Sequence, residues 1–297
     1  MKNLKSILGP MRVPFLVLTP ACVLLGLGTA IWTSGHINWF HFALVLIGAV
    51  SAHISVNAFN EYFDFKSGLD AKTKRTPFSG GSGTLPAQPE MERTTLITAM
   101  LSFAVTASVG LFFLSEIGIG LLPLGILGLV IIFIYTNWIT RIPFLCLIAP
   151  GLGFGPFMVM GTHFVLTGQY SWTAFIASLV PFFLVSDLLL LNQFPDAEAD
   201  QSVGRKHYPI TIGRKKSVRI YITFLLLAYV ALGLGVLTGY LPPASLIGLL
   251  TLVIVIPITK GVLKNNEDIE NLIPQMGQNV IVNIVTPVLV AVGLFFG

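Results

Sequence analysis

Asn60-Glu-Tyr-Phe-Asp64-Phe-Lys-Ser-Gly-Leu-Asp70 closes one long apolar run of this chain, and Asn192-Gln-Phe-Pro-Asp196-Ala-Glu-Ala-Asp200 closes another. Each stretch sets two aspartates after an asparagine, and together they hold four of the six aspartates in the sequence. The apolar runs in front of them decide the fold class. A helix that crosses a bilayer needs about 20 apolar residues, and nine such runs are centred near residues 23, 50, 105, 127, 156, 182, 228, 250 and 288. With 54% hydrophobic and 10% charged residues over 297 positions, and a mean hydropathy of +0.84, the chain is too apolar for a water-soluble domain. The expectation is one all-α, polytopic membrane domain over residues 1–297, with about nine transmembrane helices and no soluble domain left over.

Charge gives an orientation. With nine spans, every Lys and Arg falls in the N-terminal tail or in the loops after spans two, four, six and eight. The positive-inside rule places those segments in the cytoplasm. The N-terminus is then inside a cell (inner) membrane, and the C-terminus, Leu294-Phe-Phe-Gly297, lies at the opposite face. The same topology explains an isoelectric point near 9.1 without a nucleic-acid partner. Cys22 and Cys146 sit inside apolar runs and read as small buried hydrophobes, not as a disulfide framework. The first run follows Lys2, Lys5 and Arg12 and imitates a signal peptide, but without a small-residue cleavage site it reads as a retained first helix.

Two loops, about 65–93 and 201–216, are much longer than the rest, and each directly follows an acidic stretch. Long loops in a compact protein usually carry function, so they read as a cap over a cytoplasmic mouth. On span two, His53, Asn57, Asn60 and Asp64 fall at i, i+4, i+7 and i+11, a polar stripe on one helical face that reaches about 16 Å inward. Such a stripe faces a cavity or serves as interhelical hydrogen-bond glue, and His53 also suits a satisfied core histidine. On span six, Asp196 and Asp200 are one turn apart and Asn192 one turn earlier, with Pro195 expected to kink the helix between them.

Carboxylates gathered in one place repel and raise each other's pKa unless a cation answers them. Ligands that are all oxygen, with no Cys or His partner, point to Mg²⁺ held by Asn60, Asp64, Asp70, Asn192, Asp196 and Asp200. Lys72, Lys74 and Arg75 follow the first motif, and Arg205 and Lys206 the second, so a diphosphate group fits between them. Gly80-Gly-Ser-Gly83 lacks the lysine of a phosphate-binding loop and reads as a lid or as a plain connector. Asp187, inside span six, would cost about 2.5 to 3.5 kcal/mol if left unpartnered in the bilayer. It lines the cavity or packs, as do Gln275, Asn279 and Asn283, spaced i, i+4 and i+8 on span nine. Phe59, Tyr62 and Phe63 stand where ring quadrupoles would stabilise a carbocation.

Taken together, Asn60-x-x-x-Asp64 with Asp70, Asn192-x-x-x-Asp196-x-x-x-Asp200 and Gly204-Arg-Lys206 resemble the two aspartate-rich motifs and following loop of the UbiA superfamily of intramembrane prenyltransferases. The resemblance covers most of the chain. It implies a helical bundle with a central cavity open to the cytoplasmic face, where Asn60, Asp64, Asp196 and Asp200 hold Mg²⁺ on a polyprenyl diphosphate donor, with Asp70 nearby. It further implies that loss of diphosphate leaves an allylic cation for an electron-rich aromatic acceptor, with the prenyl tail in a groove open to membrane lipid. Asn60-Glu-Tyr-Phe-Asp-Phe-Lys-Ser-Gly-Leu-Asp70 followed by Arg75-Thr-Pro-Phe-Ser-Gly-Gly is most similar to the branch that prenylates 1,4-dihydroxy-2-naphthoate in menaquinone biosynthesis. Neighbouring branches use 4-hydroxybenzoate, homogentisate or a glycerol-phosphate lipid. The family's Tyr-x-x-x-Lys at the end of span four is altered here. Tyr135 is present, and Arg141 stands in shifted register as the replacement for the lysine. The rival class is a cation-coupled secondary transporter, favoured only by Asp187 and His53. A non-catalytic scaffold leaves both acidic motifs unexplained.

Overall fold

The computed structural model describes residues 4–297, and among them every regular element is helical. Lys2, read above as a topological charge, lies outside the described residues. The nine apolar runs form nine helical segments: α1 (Leu18–Ser34), α2 (Trp39–Ser67), α3 (Glu92–Ile117), α4 (Leu122–Ile134), α5 (Pro143–Thr167), α6 (Trp172–Gln201), α7 (Arg214–Leu237), α8 (Pro243–Asn265) and α9 (Ile269–Phe296). All but α4 belong to the eight helical stretches that are long and apolar enough to cross a membrane.

Burial separates a centre from a periphery. In α6, 67% of the most apolar window is buried inside the protein, against 11% in the stretch that contains α3. The main core gathers Cys22 and Leu25 of α1, Leu184, Leu191 and Phe194 of α6, Tyr221 of α7 and Val290 of α9. Between apolar helices in lipid, close packing replaces the hydrophobic drive, and small residues permit it. Here α5 does this: a Cβ on Gly151 would collide with Phe182 O and Ser186 Oγ, and one on Gly155 would stand 2.5 Å from Ser178 O. The α5 backbone thus lies directly on α6. It passes through a π-helical stretch, Gly153–Met160, as it does so.

Helix ends then set the two acidic motifs. The side chain of Asn38 accepts from the Phe40 and His41 amides and starts α2. Gly68, at φ 74°, stops it: the Gly68 amide donates to Phe65 O and the Leu69 amide to Asp64 O, a turn that folds Asp70 back beside Asp64. α6 is helical through Pro195 to Gln201, so the register is not interrupted there and Asn192, Asp196 and Asp200 stay at successive turns. Gly204, at φ 82°, reverses the chain just beyond, and the Arg205 amide returns to Asp200 O at 3.1 Å.

Candidate active site

A cavity of about 440 Å³ lies between α2, α4, α5 and α6. Asn60, Asp64, Asp70, Asn192, Asp196 and Asp200 all line it. Below them the lining turns apolar, with Tyr135, Phe154 and Phe157 among its rings. His53 and Asn57 also line it, about three and two helical turns inward from Asp64. Thr19 Oγ1 lies 2.8 Å from His53 Nδ1, the Phe154 ring meets the imidazole edge-on at 4.8 Å, and Asn57 donates its amide to Met11 O.

The carboxylates are held in two different ways. Arg205 reaches between the motifs: Nη1 donates to Asp200 Oδ1 at 2.9 Å and Nη2 donates to Asp64 Oδ1. His207 Nε2 lies 2.9 Å from Asp200 Oδ2. Burial works against the charge on Arg205, but Asp64 and Asp200 outweigh it and raise its pKa further. Asp196 accepts from the Gly80 amide at 3.1 Å through one oxygen, while its other oxygen, Asp70 Oδ2 and Asn192 Oδ1 are buried with no hydrogen-bond partner. Burial first, then the Glu61 and Asp64 charges, push the Asp70 carboxyl up to about 7. Three buried oxygens on cavity-lining side chains thus lack a partner, and oxygen donors of this kind suit a hard cation. Mg²⁺ fits these residues. Among the described residues no three His, Cys, Asp or Glu side chains form a metal cage of their own, and Mg²⁺ sites are commonly completed by substrate phosphate oxygens.

Sequence reasoning missed three contributors. Arg12, read as a topological charge, lines the cavity and donates from Nη2 to Asn60 Oδ1 at 2.9 Å, with Glu61 Oε2 at 3.6 Å. It does so in a left-handed conformation, φ 52°, that costs a side-chain-bearing residue about 1 to 2 kcal/mol. Glu61, fully buried, accepts from the Ser82 amide and hydroxyl. With the Gly80 contact to Asp196, this straps the glycine-rich loop across the mouth. His207 is the third. No spacing marks any of them, because each depends on how loops fold over helix ends.

Other expected positions are corrected. Asp187, Asn279 and Asn283 are fully buried but lie outside the cavity lining. Tyr221 Oη donates to Asn279 Oδ1 at 3.2 Å, and Asn283 donates to Asn279 O at 2.9 Å, so the α9 stripe faces a helix interface. Arg141 is exposed, because its neighbour Thr140 takes the inward position. Lys72, Lys74, Arg75 and Lys206 are likewise exposed and off the main cavity, since Thr73 and Arg205 occupy the inward turns. Lys72 reaches Ser202 Oγ at 3.3 Å, and Arg75 lines a smaller neighbouring pocket with Arg12. Phe59 and Phe63 stack on each other and are absent from the lining, as is Tyr62, so the rings near the site are other ones.

Residues 19–272 match the UbiA prenyltransferase family. The chain belongs to that family. This UbiA prenyltransferase is therefore a membrane-embedded enzyme of multi-pass topology. It is 27% identical over 256 residues to a 1,4-dihydroxy-2-naphthoate octaprenyltransferase from Bacillus subtilis, covering 85% of this chain and 80% of that one. A UbiA homologue from Aeropyrum pernix shares its fold at a TM-score of 0.71 and 16% identity, over 95% of this chain and 97% of the other. A second homologue, from Archaeoglobus fulgidus and bound to DMAPP and Mg²⁺, does so at 0.62 and 13%, over 97% and 99%.

Proposed function

We propose that this enzyme transfers a polyprenyl group from polyprenyl diphosphate to 1,4-dihydroxy-2-naphthoate, with Mg²⁺ as cofactor, in menaquinone biosynthesis. One observation carries the reading: Asn60, Asp64 and Asp70 of the first acidic motif and Asn192, Asp196 and Asp200 of the second all line a single cavity whose inner wall is apolar and aromatic. A diphosphate belongs at the acidic and basic mouth, and a prenyl chain belongs on the apolar wall. The named activity of the Bacillus subtilis relative and the DMAPP and Mg²⁺ of the Archaeoglobus fulgidus homologue support the same assignment.

In this reading Asn60, Asp64, Asp70, Asn192, Asp196 and Asp200 hold the cation. Mg²⁺, when bound, neutralises diphosphate charge and improves the leaving group. Arg205 and Arg12 stand beside those residues with guanidinium groups suited to phosphate oxygens. As the allylic carbon–oxygen bond breaks, its electron pair leaves with the diphosphate, where these cations stabilise the growing charge. The rings of Tyr135, Phe154 and Phe157 exclude water and face positive charge on the prenyl carbon. An electron-rich ring carbon of the acceptor supplies the pair for the new bond, and the ring regains aromaticity as that carbon loses its proton, or its carboxyl group as CO2. His53 and Asn57 are the polar groups on the inner wall that would orient that acceptor. The distribution of Lys and Arg supports an orientation with this mouth on the cytoplasmic side of the cell membrane.

The test is prenyl transfer in liposomes with a labelled polyprenyl diphosphate, Mg²⁺ or EDTA, and a panel of dihydroxynaphthoate, 4-hydroxybenzoate, homogentisate and a glycerol-phosphate lipid. Product that needs Mg²⁺ and forms with dihydroxynaphthoate alone is the expected result. Product with another acceptor would replace the acceptor but leave the donor site standing.

A further inference from the structure

The oxygen atoms of the two motifs are unequally occupied. Asp200 has neither oxygen free, since Oδ1 accepts from Arg205 and Oδ2 faces His207 Nε2. Asp64 Oδ1 accepts from the other arm of the same guanidinium. By contrast Asp70, Asn192 and Asp196 each keep a buried oxygen with no partner. One planar fork thus spans both acidic motifs, from a side chain that is only 14% exposed.

Resting on the prenyl diphosphate reading above, we infer that Arg205 is an exchange group: it holds Asp64 and Asp200 until the donor arrives, then passes to the diphosphate as the cation takes those carboxylates. The physical argument is competition. A divalent cation that takes Asp64 Oδ1 and Asp200 Oδ1 must displace the guanidinium, and a buried guanidinium stripped of its carboxylates is strongly unfavourable. A diphosphate removes that obstacle, because it offers the same paired oxygens to the same fork. Cation and diphosphate therefore bind together, and each binds weakly alone. The local backbone suits a side chain that moves on a fixed base: Gly204 makes the turn, the Arg205 amide is tied to Asp200 O, and the Lys206 amide donates to Thr140 O at 2.9 Å.

A structural ion pair that stays shut in the loaded site gives cation and diphosphate no mutual enhancement through Arg205, so two readings decide together: the Mn²⁺ affinity alone and the coupling between Mn²⁺ and diphosphate. Mn²⁺ binding is read by EPR on the purified full chain, with and without a non-hydrolysable prenyl thiolodiphosphate. Arg205→Gln is expected to bind Mn²⁺ alone roughly tenfold more tightly than wild type, to bind the thiolodiphosphate more weakly, and to lose most of the mutual enhancement between them. Arg205→Lys keeps the charge without the fork and should fall between the two; it carries the test if the glutamine variant does not fold. Mn²⁺ affinity that is unchanged or weaker in these variants, without the thiolodiphosphate, would overturn the exchange. A wild-type protein that binds no thiolodiphosphate with Mn²⁺ and transfers no prenyl group would instead overturn the reading beneath it, and the exchange with it.

Discussion

Two polar regions of this chain look alike in sequence and differ in kind. One is the stripe on α2 that ends at Asp64, and the other is the stripe of Asn279 and Asn283 on α9, with Asp187 of α6 nearby in the core. Both set polar side chains at helical spacing inside apolar runs. The first opens on a cavity, whereas the second lies outside it and packs on Tyr221 and on its own backbone, although Asp187 and Asn283 also keep buried oxygens without a partner. Helical period reports which residues share a face and is silent on what the face meets. What separates the two regions is company: the α2 stripe and the α6 motif end beside long loops that bring arginines back to them, whereas no such loop returns to the middle of α9.

The largest effect should break the symmetry outright. Asp196→Ala removes one partnered and one unpartnered oxygen from the mouth, and should lower kcat/KM for prenyl transfer at least about 100-fold, in protein that keeps its wild-type elution and helical circular dichroism. Asp187→Asn, which has nearly the same shape, should leave turnover near that of wild type. If Asp187→Asn inactivated the enzyme to a similar degree, the α9 side of the bundle would have to be counted into the site.

Two of the three buried histidines permit a finer division. His53 and His163 each lie close to a threonine, Thr19 and Thr29, but only His53 lines the cavity. His53→Leu should raise the acceptor KM roughly tenfold, the worth of one lost polar contact, and spare the donor KM. His163→Leu should change neither. An acceptor KM that is indifferent to His53 would leave the inner wall to the aromatic rings.

These contrasts mark how much was legible beforehand. The nine runs, and the two motifs that close α2 and α6, could be read because hydropathy and helical spacing are local properties. Arg205 was also within reach, since it follows its motif by a few residues. Arg12 was not: its role comes from a left-handed turn before α1 that brings a tail residue onto Asn60, 48 positions away. Lys72, Lys74, Arg75, Arg141 and Lys206 mark another limit: they are exposed and off the cavity lining, because a loop presents alternate residues to opposite sides, although Lys72 reaches Ser202 and Arg75 lines a neighbouring pocket with Arg12.

The loop itself offers a smaller effect. Gly81 has φ +74°, and a Cβ there would stand 3.3 Å from both Asp70 Oδ1 and Glu61 Oε2. Gly81→Ala therefore adds about 1 to 2 kcal/mol of strain at the point where the loop crosses the mouth. A several-fold rise in donor KM, with acceptor KM unchanged, is the expected outcome in steady-state assays. Equal changes in both would mean that the loop governs the whole cavity and not the diphosphate end alone.

The smallest effect tests the other region on its own terms. Tyr221→Phe deletes only the hydroxyl that donates to Asn279 Oδ1. A hydrogen bond between helices in a membrane protein is worth about 0.6 kcal/mol on average, so the melting temperature should fall slightly and the kinetic constants should not move. The protein carries its own reporter: Cys22 and Cys146 are 0% and 1% exposed, so a thiol-reactive fluorophore labels them as the bundle opens. A small shift in that curve with unaltered kcat and KM would mean that the α9 stripe holds helices together and takes no part in the chemistry. A changed KM with an unshifted curve would mean that the cavity reaches further than the folded side chains suggest, and that the two polar regions are one site.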